Sequence, residues 1–173
     1  MSLILLRHTI PQGAEGVCYG RTDLPLAPGL DVEVTRLLAE LPPVMRIVSS
    51  PLTRCRQLAE AIGRARQHRV EIDPGLIEMD FGAWENRPWA ELPRAQIDQW
   101  AEDFQNAKPH GGESVADLAG RVRTTLDRLV QGACPVLAVT HSGVIRAALA
   151  ARGDPKGWKA NTEFGQWRQV SWG

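Results

Sequence analysis

The chain has 173 residues, with 20 Lys and Arg against 20 Asp and Glu, and a formal net charge of zero. That length suits one domain, spanning 1–173, with a sizeable core, and the charge balance excludes a global field favouring nucleic acid or an anionic membrane as partner. The three cysteines, Cys18, Cys55 and Cys134, are too few and too widely spaced for a disulfide framework or a Cys-x-x-Cys metal site. This usage predicts a reducing cytoplasm. No segment has the length of a membrane span, and the N-terminus has no leader-like apolar region, so a soluble protein is expected.

The run Leu3-Ile4-Leu5-Leu6 has no polar alternation and reads as a strand buried on both faces. Arg7 and His8 stand at its carboxyl end, where open α/β sheets bind ligands. Alone, such a pair also fits an ordinary satisfied polar histidine. The turn-rich segment from Thr9 to Gly29 reads as a long loop carrying Tyr19, Gly20, Arg21, Thr22 and Asp23, either folded over the end of the first strand or forming a solvated Ω-loop. Leu30, Val34, Leu37, Leu38 and Leu41 then have helical spacing, stopped by Pro42-Pro43.

Ile47 and Val48 form a short strand, after which Ser50 as N-cap and Pro51 in the first turn predict a helix through Ile62. Arg54 falls in its first turn, at the positive end of a helix dipole, which suggests an anion nearby or else a solvated side chain. Arg56, Arg64, Arg66 and Arg69 read as surface charge. Val70 to Ile72 is strand-like and is broken by Pro74-Gly75. Residues 76–85 mix the carboxyls of Glu78, Asp80 and Glu85 with bulky apolar groups and have no regular period, as expected of a loop lining a partly dry pocket. A carboxyl there can hold a proton near neutral pH.

A helix is expected from Trp89 to Phe104, with Leu92, Ile97, Trp100 and Phe104 buried and Pro93 disturbing its start. Pro109 to Gly112 form a turn in which His110 reads as a loop side chain. Glu113 and Ser114 lead into a helix marked by Val115, Leu118, Val122, Leu126 and Leu129. The opening pattern then repeats, for the strand Val136 to Thr140 ends in His141 and runs through Ser142 and Gly143 into a helix. Phe164, Trp167, Val170 and Trp172 alternate loosely, as an edge strand would.

In a parallel sheet the three strand-to-helix junctions open on one edge, bringing together Arg7 with His8, Arg54, and His141. Two guanidiniums and a second imidazole supply donors for phosphoryl oxygens, leaving His8 to attack phosphorus in line. Glu78 is the candidate for proton traffic, as acid toward the leaving alcohol and then as base toward water. No carboxylate–histidine cluster has ligand spacing, so no metal and no cofactor are expected.

At these residues the chain resembles the histidine phosphatase family, which includes cofactor-dependent phosphoglycerate mutase and alpha-ribazole phosphatase. Leu6-Arg7-His8-Thr9 is similar to its nucleophile motif, Ser49 to Arg54 to its second-arginine motif, and Thr140 to Gly143 to its second-histidine motif. Residues 76–85 resemble its acid-bearing segment, and Gly111 to Ser114 a further family stretch. The resemblance implies a three-layer α/β/α sandwich with a mostly parallel sheet, a phosphohistidine on His8, no metal, and a small phosphorylated metabolite as partner. Thr9, Tyr19, Gly20, Arg21 and Ser142 become candidate substrate-binding residues. Thr9 departs from the usual glycine, Asn86 stands where related phosphatases often have glycine, and His110 precedes the Gly-Gly-Glu-Ser stretch. The short span between Glu85 and Gly111 leaves little room for a mutase-like cap, so hydrolysis is expected over mutase activity. The segments 18–23 and 78–85 look most like the alpha-ribazole phosphatase branch. A broad sugar or nucleotide phosphate phosphatase, and a phosphate-binding module without turnover, are the alternatives.

Overall fold

A computed structural model describes residues 1–173. In chain order its strands are β1 (Ser2–Arg7), β2 (Val17–Cys18), β3 (Arg46–Ser49), β4 (Val70–Ile72), β5 (Arg87–Pro88), β6 (Val136–Thr140) and β7 (Trp167–Ser171). The α-helices are α1 (Leu30–Glu40), α2 (Thr53–Arg66), α3 (Arg94–Glu102), α4 (Val115–Leu129) and α5 (Ser142–Ala151). The main sheet has the order β4-β3-β6-β1-β7, with β7 alone antiparallel, and β2 pairs with β5 in a small separate ribbon.

Strand periodicity divides the core in two. Leu3 and Leu5 of β1, with Val136 and Ala138 of β6, face α4 and α5, while Ile4 and Leu6, with Leu137 and Val139, face α1 and α2. This is the three-layer α/β/α arrangement, and it explains why the central strands read as continuous apolar runs. No helix is long and apolar enough to cross a membrane.

Four local expectations are corrected. Ser50 does not cap α2, whose N-cap is Leu52. The cap comes instead from the long loop, since Asp23 accepts from the Thr53 N–H and hydroxyl, each at 2.7 Å. The expected helix over 89–104 is a 3₁₀ turn, Trp89–Glu91, followed by α3 alone. Pro93 forces Leu92 into extended backbone and so breaks it. Of its expected core residues only Leu92 is buried, because Trp100 and Phe104 face a cavity. Arg66 is not free surface charge, as it donates to the carbonyls of Pro42 and Leu41 beyond α1. Asn86 has φ 63°, a left-handed conformation that explains a glycine-like position and that asparagine tolerates.

Candidate active site

The three junctions meet because the backbone ladder continues one step past the strands. The His8 N–H donates to the Thr140 carbonyl at 3.0 Å, and the Ser50 N–H to the Val139 carbonyl at 3.0 Å. His141, at the end of the central strand β6, is thereby flanked by His8 and Ser50. The two imidazole centroids lie 5.2 Å apart at 63°.

His8 is 2% exposed, and its Nδ1 lies 2.7 Å from the Thr9 carbonyl. A carbonyl only accepts, so Nδ1 carries the proton and Nε2 keeps its lone pair. That lone pair accepts from Arg54 Nε at 3.3 Å. Burial, followed by the charge of Arg54, brings the His8 pKa down to about 3, with the Thr9 hydrogen bond opposing and Arg7 adding to the fall. The ring is therefore neutral across the physiological range.

Arg54 is fully buried in the first turn of α2. Its terminal nitrogens donate to the Thr22 carbonyl at 2.7 Å and the Gly20 carbonyl at 2.6 Å. Arg7 is half-buried, donates to the Thr162 carbonyl at 2.8 Å, and lies over the Phe164 ring at 3.8 Å. Its Nε is buried without a partner. His141 is completely buried, with Nε2 2.7 Å from Ser50 Oγ and 3.4 Å from Cys55 Sγ. Burial holds its pKa well below the usual imidazole value, and His8 when protonated, together with the charges of Arg54 and Arg7, pushes the same way.

Glu78 approaches from the acid-bearing loop. Its Oε1 accepts from the Met79 N–H at 2.8 Å and its Oε2 from the Gly143 N–H at 3.0 Å, so the carboxylate sits on the N-terminus of α5. Only glycine permits this approach, because a Cβ at Gly143 would lie 2.2 Å from Oε1. Arg121 of α4 anchors the loop from behind by donating to the Gly75 and Ile77 carbonyls at 2.9 and 2.8 Å. It also makes a two-point contact with Glu113.

A cavity of about 280 Å³ opens beside this cluster, lined at its polar end by Arg7, His8, Tyr19, Glu78 and Ser142. Its far walls are Phe81, Trp89, Trp100, Phe104 and Trp158, with Arg146 alongside. Arg54 and His141 adjoin this space through His8, Arg54 by its Nε at 3.3 Å from His8 Nε2 and His141 by a ring centroid 5.2 Å away. Three sequence candidates are placed differently. Thr9 lines a separate cavity with Ile10 and Leu30, as the residue after His8 points to the other side, and it contributes to the site through its carbonyl. Gly20 contributes its carbonyl to Arg54 and does not line the cavity. Arg21 turns outward to Asp80 and Glu113, at 3.7 and 3.8 Å. Sequence reasoning missed Ser50, Cys55, Arg121, Arg146 and Phe164, and gave Glu85 no role of its own. The glycine at 143 was a usable signal for close approach of another group.

The model of the histidine phosphatase superfamily (branch 1) matches residues 3–165. Among curated relatives, bifunctional protein Rv2228c of Mycobacterium tuberculosis is 35% identical over 160 residues, covering 85% of this chain but only 43% of that protein. This chain thus spans less than half of that relative. The adenosylcobalamin/alpha-ribazole phosphatase of Escherichia coli is 32% identical over 159 residues, covering 87% of this chain and 78% of the relative. Among solved structures, the mycobacterial glucosyl-3-phosphoglycerate phosphatase Rv2419c superposes with a TM-score of 0.82 at 29% identity, covering 98% of this chain and 89% of that one.

Proposed function

The chain belongs to branch 1 of the histidine phosphatase superfamily, and from that premise we propose a metal-independent phosphomonoesterase working through a phosphohistidine on His8. The observation that carries this reading is the unprotonated His8 Nε2 beside Arg54 at one end of a cavity that Glu78 also lines. A phosphoryl group entering there replaces the Arg54 N–H···N contact with charged hydrogen bonds to its own oxygens. The lone pair of His8 Nε2 forms the P–N bond as the P–O bond to the alcohol breaks, and Glu78, whose carboxylate takes up a proton from solvent as the phosphate dianion arrives beside it, gives that proton to the departing oxygen. Water then attacks phosphorus, Glu78 recovers a proton from it, and His8 leaves as the free imidazole. Arg7, Arg54 and His141 stabilise the equatorial charge. Burial keeps His141 neutral, and a phosphate dianion beside it offsets that effect, while His8 keeps its Nε2 lone pair for attack.

The substrate is a small phosphorylated metabolite such as alpha-ribazole 5'-phosphate. Five aromatic side chains on the cavity walls favour an alcohol that carries a flat apolar group. The alternative is a sugar phosphate, and a relative named glucosyl-3-phosphoglycerate phosphatase keeps it in view. The test compares Glu78→Gln on an alkyl and an aryl phosphate, with trapping of radiolabelled phosphoenzyme in wild type and His8→Ala. Loss of about a hundred- to ten-thousand-fold on the alkyl ester, and much less on the activated aryl ester, is expected. An undiminished phosphoenzyme in His8→Ala moves the nucleophile elsewhere and overturns the reading.

A further inference from the structure

Glu85 lies at the far end of the acid-bearing loop and does not line the cavity, yet its carboxylate is the most heavily hydrogen-bonded near the site. It accepts from the N–H groups of Gly20, Arg21 and Thr22 at 3.0, 3.0 and 3.1 Å, from the Thr22 hydroxyl, and from the Phe81 N–H at 3.1 Å. Three consecutive N–H groups of one segment thus converge on one carboxylate. An anion is what such a convergence binds, and here a side chain supplies it. The same segment turns its Gly20 and Thr22 carbonyls toward Arg54, where they receive both terminal nitrogens of the guanidinium. The third donor, Arg54 Nε, is thereby aimed at His8 Nε2. A Cβ at Gly20 would lie 1.9 Å from the Met79 carbonyl and 2.8 Å from Glu85 Oε1, so residue 20 must be bare for the segment to lie against the acid-bearing loop. The next residue, Asp23, pins the other end of the segment to the start of α2.

We propose that Glu85 is a positioning residue for Arg54, folding residues 20–22 into a strap whose carbonyls fix the guanidinium against His8 and its incoming phosphoryl group. The strap couples two loops, because the segment that carries Glu78 also carries the carboxylate that organises the phosphate-holding arginine. Glu85 itself touches neither the substrate nor His8. The proposal rests on the phosphatase reading for its catalytic consequence, while the geometry concerns anion binding alone.

The test uses Glu85→Gln, which keeps the size of the side chain and replaces one acceptor oxygen with a donor facing backbone N–H groups. Orthovanadate binding is measured by calorimetry, and kcat/KM on a phosphate monoester in parallel, for wild type, Glu85→Gln, Arg54→Ala and the double variant. The expected result is a loss of about ten- to a hundredfold in both quantities for Glu85→Gln. In the Arg54→Ala background the further loss is expected to be no more than about threefold, because the strap then has no guanidinium to hold. A merely structural role for Glu85 predicts losses that multiply, and that result, or wild-type vanadate affinity in Glu85→Gln, overturns the proposal. If Glu85→Gln loses its cooperative thermal transition, Thr22→Val makes the same comparison by removing the hydroxyl contact alone. A loss of about threefold in vanadate affinity is then expected, and an unchanged affinity overturns the proposal. A wild type that binds vanadate but hydrolyses no ester refutes the phosphatase reading and leaves the coupling measurement intact.

Discussion

Gly143→Ala tests the placement of Glu78 without altering its chemistry. The added Cβ would stand 2.2 Å from Oε1, 3.0 Å from Cδ and 3.3 Å from Oε2, whereas ordinary contact begins near 3.4 Å. The carboxyl must therefore retreat by about 1 Å, and its hydrogen bond from the Gly143 N–H is lost or bent. Residue 143 is in helix α5 and outside the left-handed region, so alanine suits its backbone and adds roughly 0.5–1 kcal/mol of helix preference. Against this stands the loss of one charged hydrogen bond, about 1.5–3 kcal/mol, so net destabilisation of about 1 kcal/mol is expected and the protein stays folded. Catalysis should suffer more, since a misplacement of about 1 Å costs on the order of a hundredfold. That cost belongs to protonation of the leaving group. Steady-state kcat/KM on an alkyl phosphate should fall about a hundredfold, on p-nitrophenyl phosphate less than about fivefold, while phosphoenzyme still forms from the aryl ester. Equal losses on both esters, or none on either, would refute the assignment of Glu78 as the group that protonates the alcohol.

The pH dependence of stability follows from His8. Its folded pKa of about 3 lies below the unfolded value of 6.5, so below pH 6.5 the unfolded chain binds a proton that the folded chain refuses. Stability is then complete above about pH 6.5 and falls toward pH 3; at pH 5 the loss from His8 alone is about 2 kcal/mol, with His141 adding in the same direction. Urea midpoints for wild type and His8→Gln at pH 7 and 5 check this, and identical pH dependence in the two proteins contradicts it. Chelation by EDTA should leave turnover unchanged, because cationic side chains carry the charge assigned elsewhere to metals; loss restored by Mg²⁺ or Zn²⁺ would sink the mechanism. Trp158→Ala should raise KM about tenfold for a riboside phosphate bearing a flat aromatic base and leave glycerol phosphate unaffected, and a uniform change would move the aromatic wall out of substrate recognition.

What could be read from sequence divides along a physical line. Arg7, His8, Arg54 and His141 were legible because each follows a buried strand, and a parallel sheet brings the carboxyl ends of such strands to one edge. Glu78 stood out as a carboxyl among apolar residues in an unpatterned segment. The direction of Thr9 was also available in principle, since successive side chains of extended backbone alternate, and a residue after one that faces the site faces away from it. The arrangement around Arg54 was not available. Its partners are the carbonyls of Gly20 and Thr22, and any residue type brings a carbonyl. The capping of α2 by Asp23 was hidden for a related reason, as a local Ser50-Pro51 pair matched the usual signal while the acceptor came from a loop 30 residues away. The Ser50 hydroxyl lies 2.7 Å from His141 Nε2 and reaches the helix start only through a 3.4 Å contact from the Leu52 N–H. Sequence signals of local structure fail here where a side chain is recruited by the site, and the gap they leave is filled by a backbone group or a distant residue. Glu85 is the clearest instance, since its only partners besides the Thr22 hydroxyl are backbone N–H groups, four of them from segments with no common sequence signature.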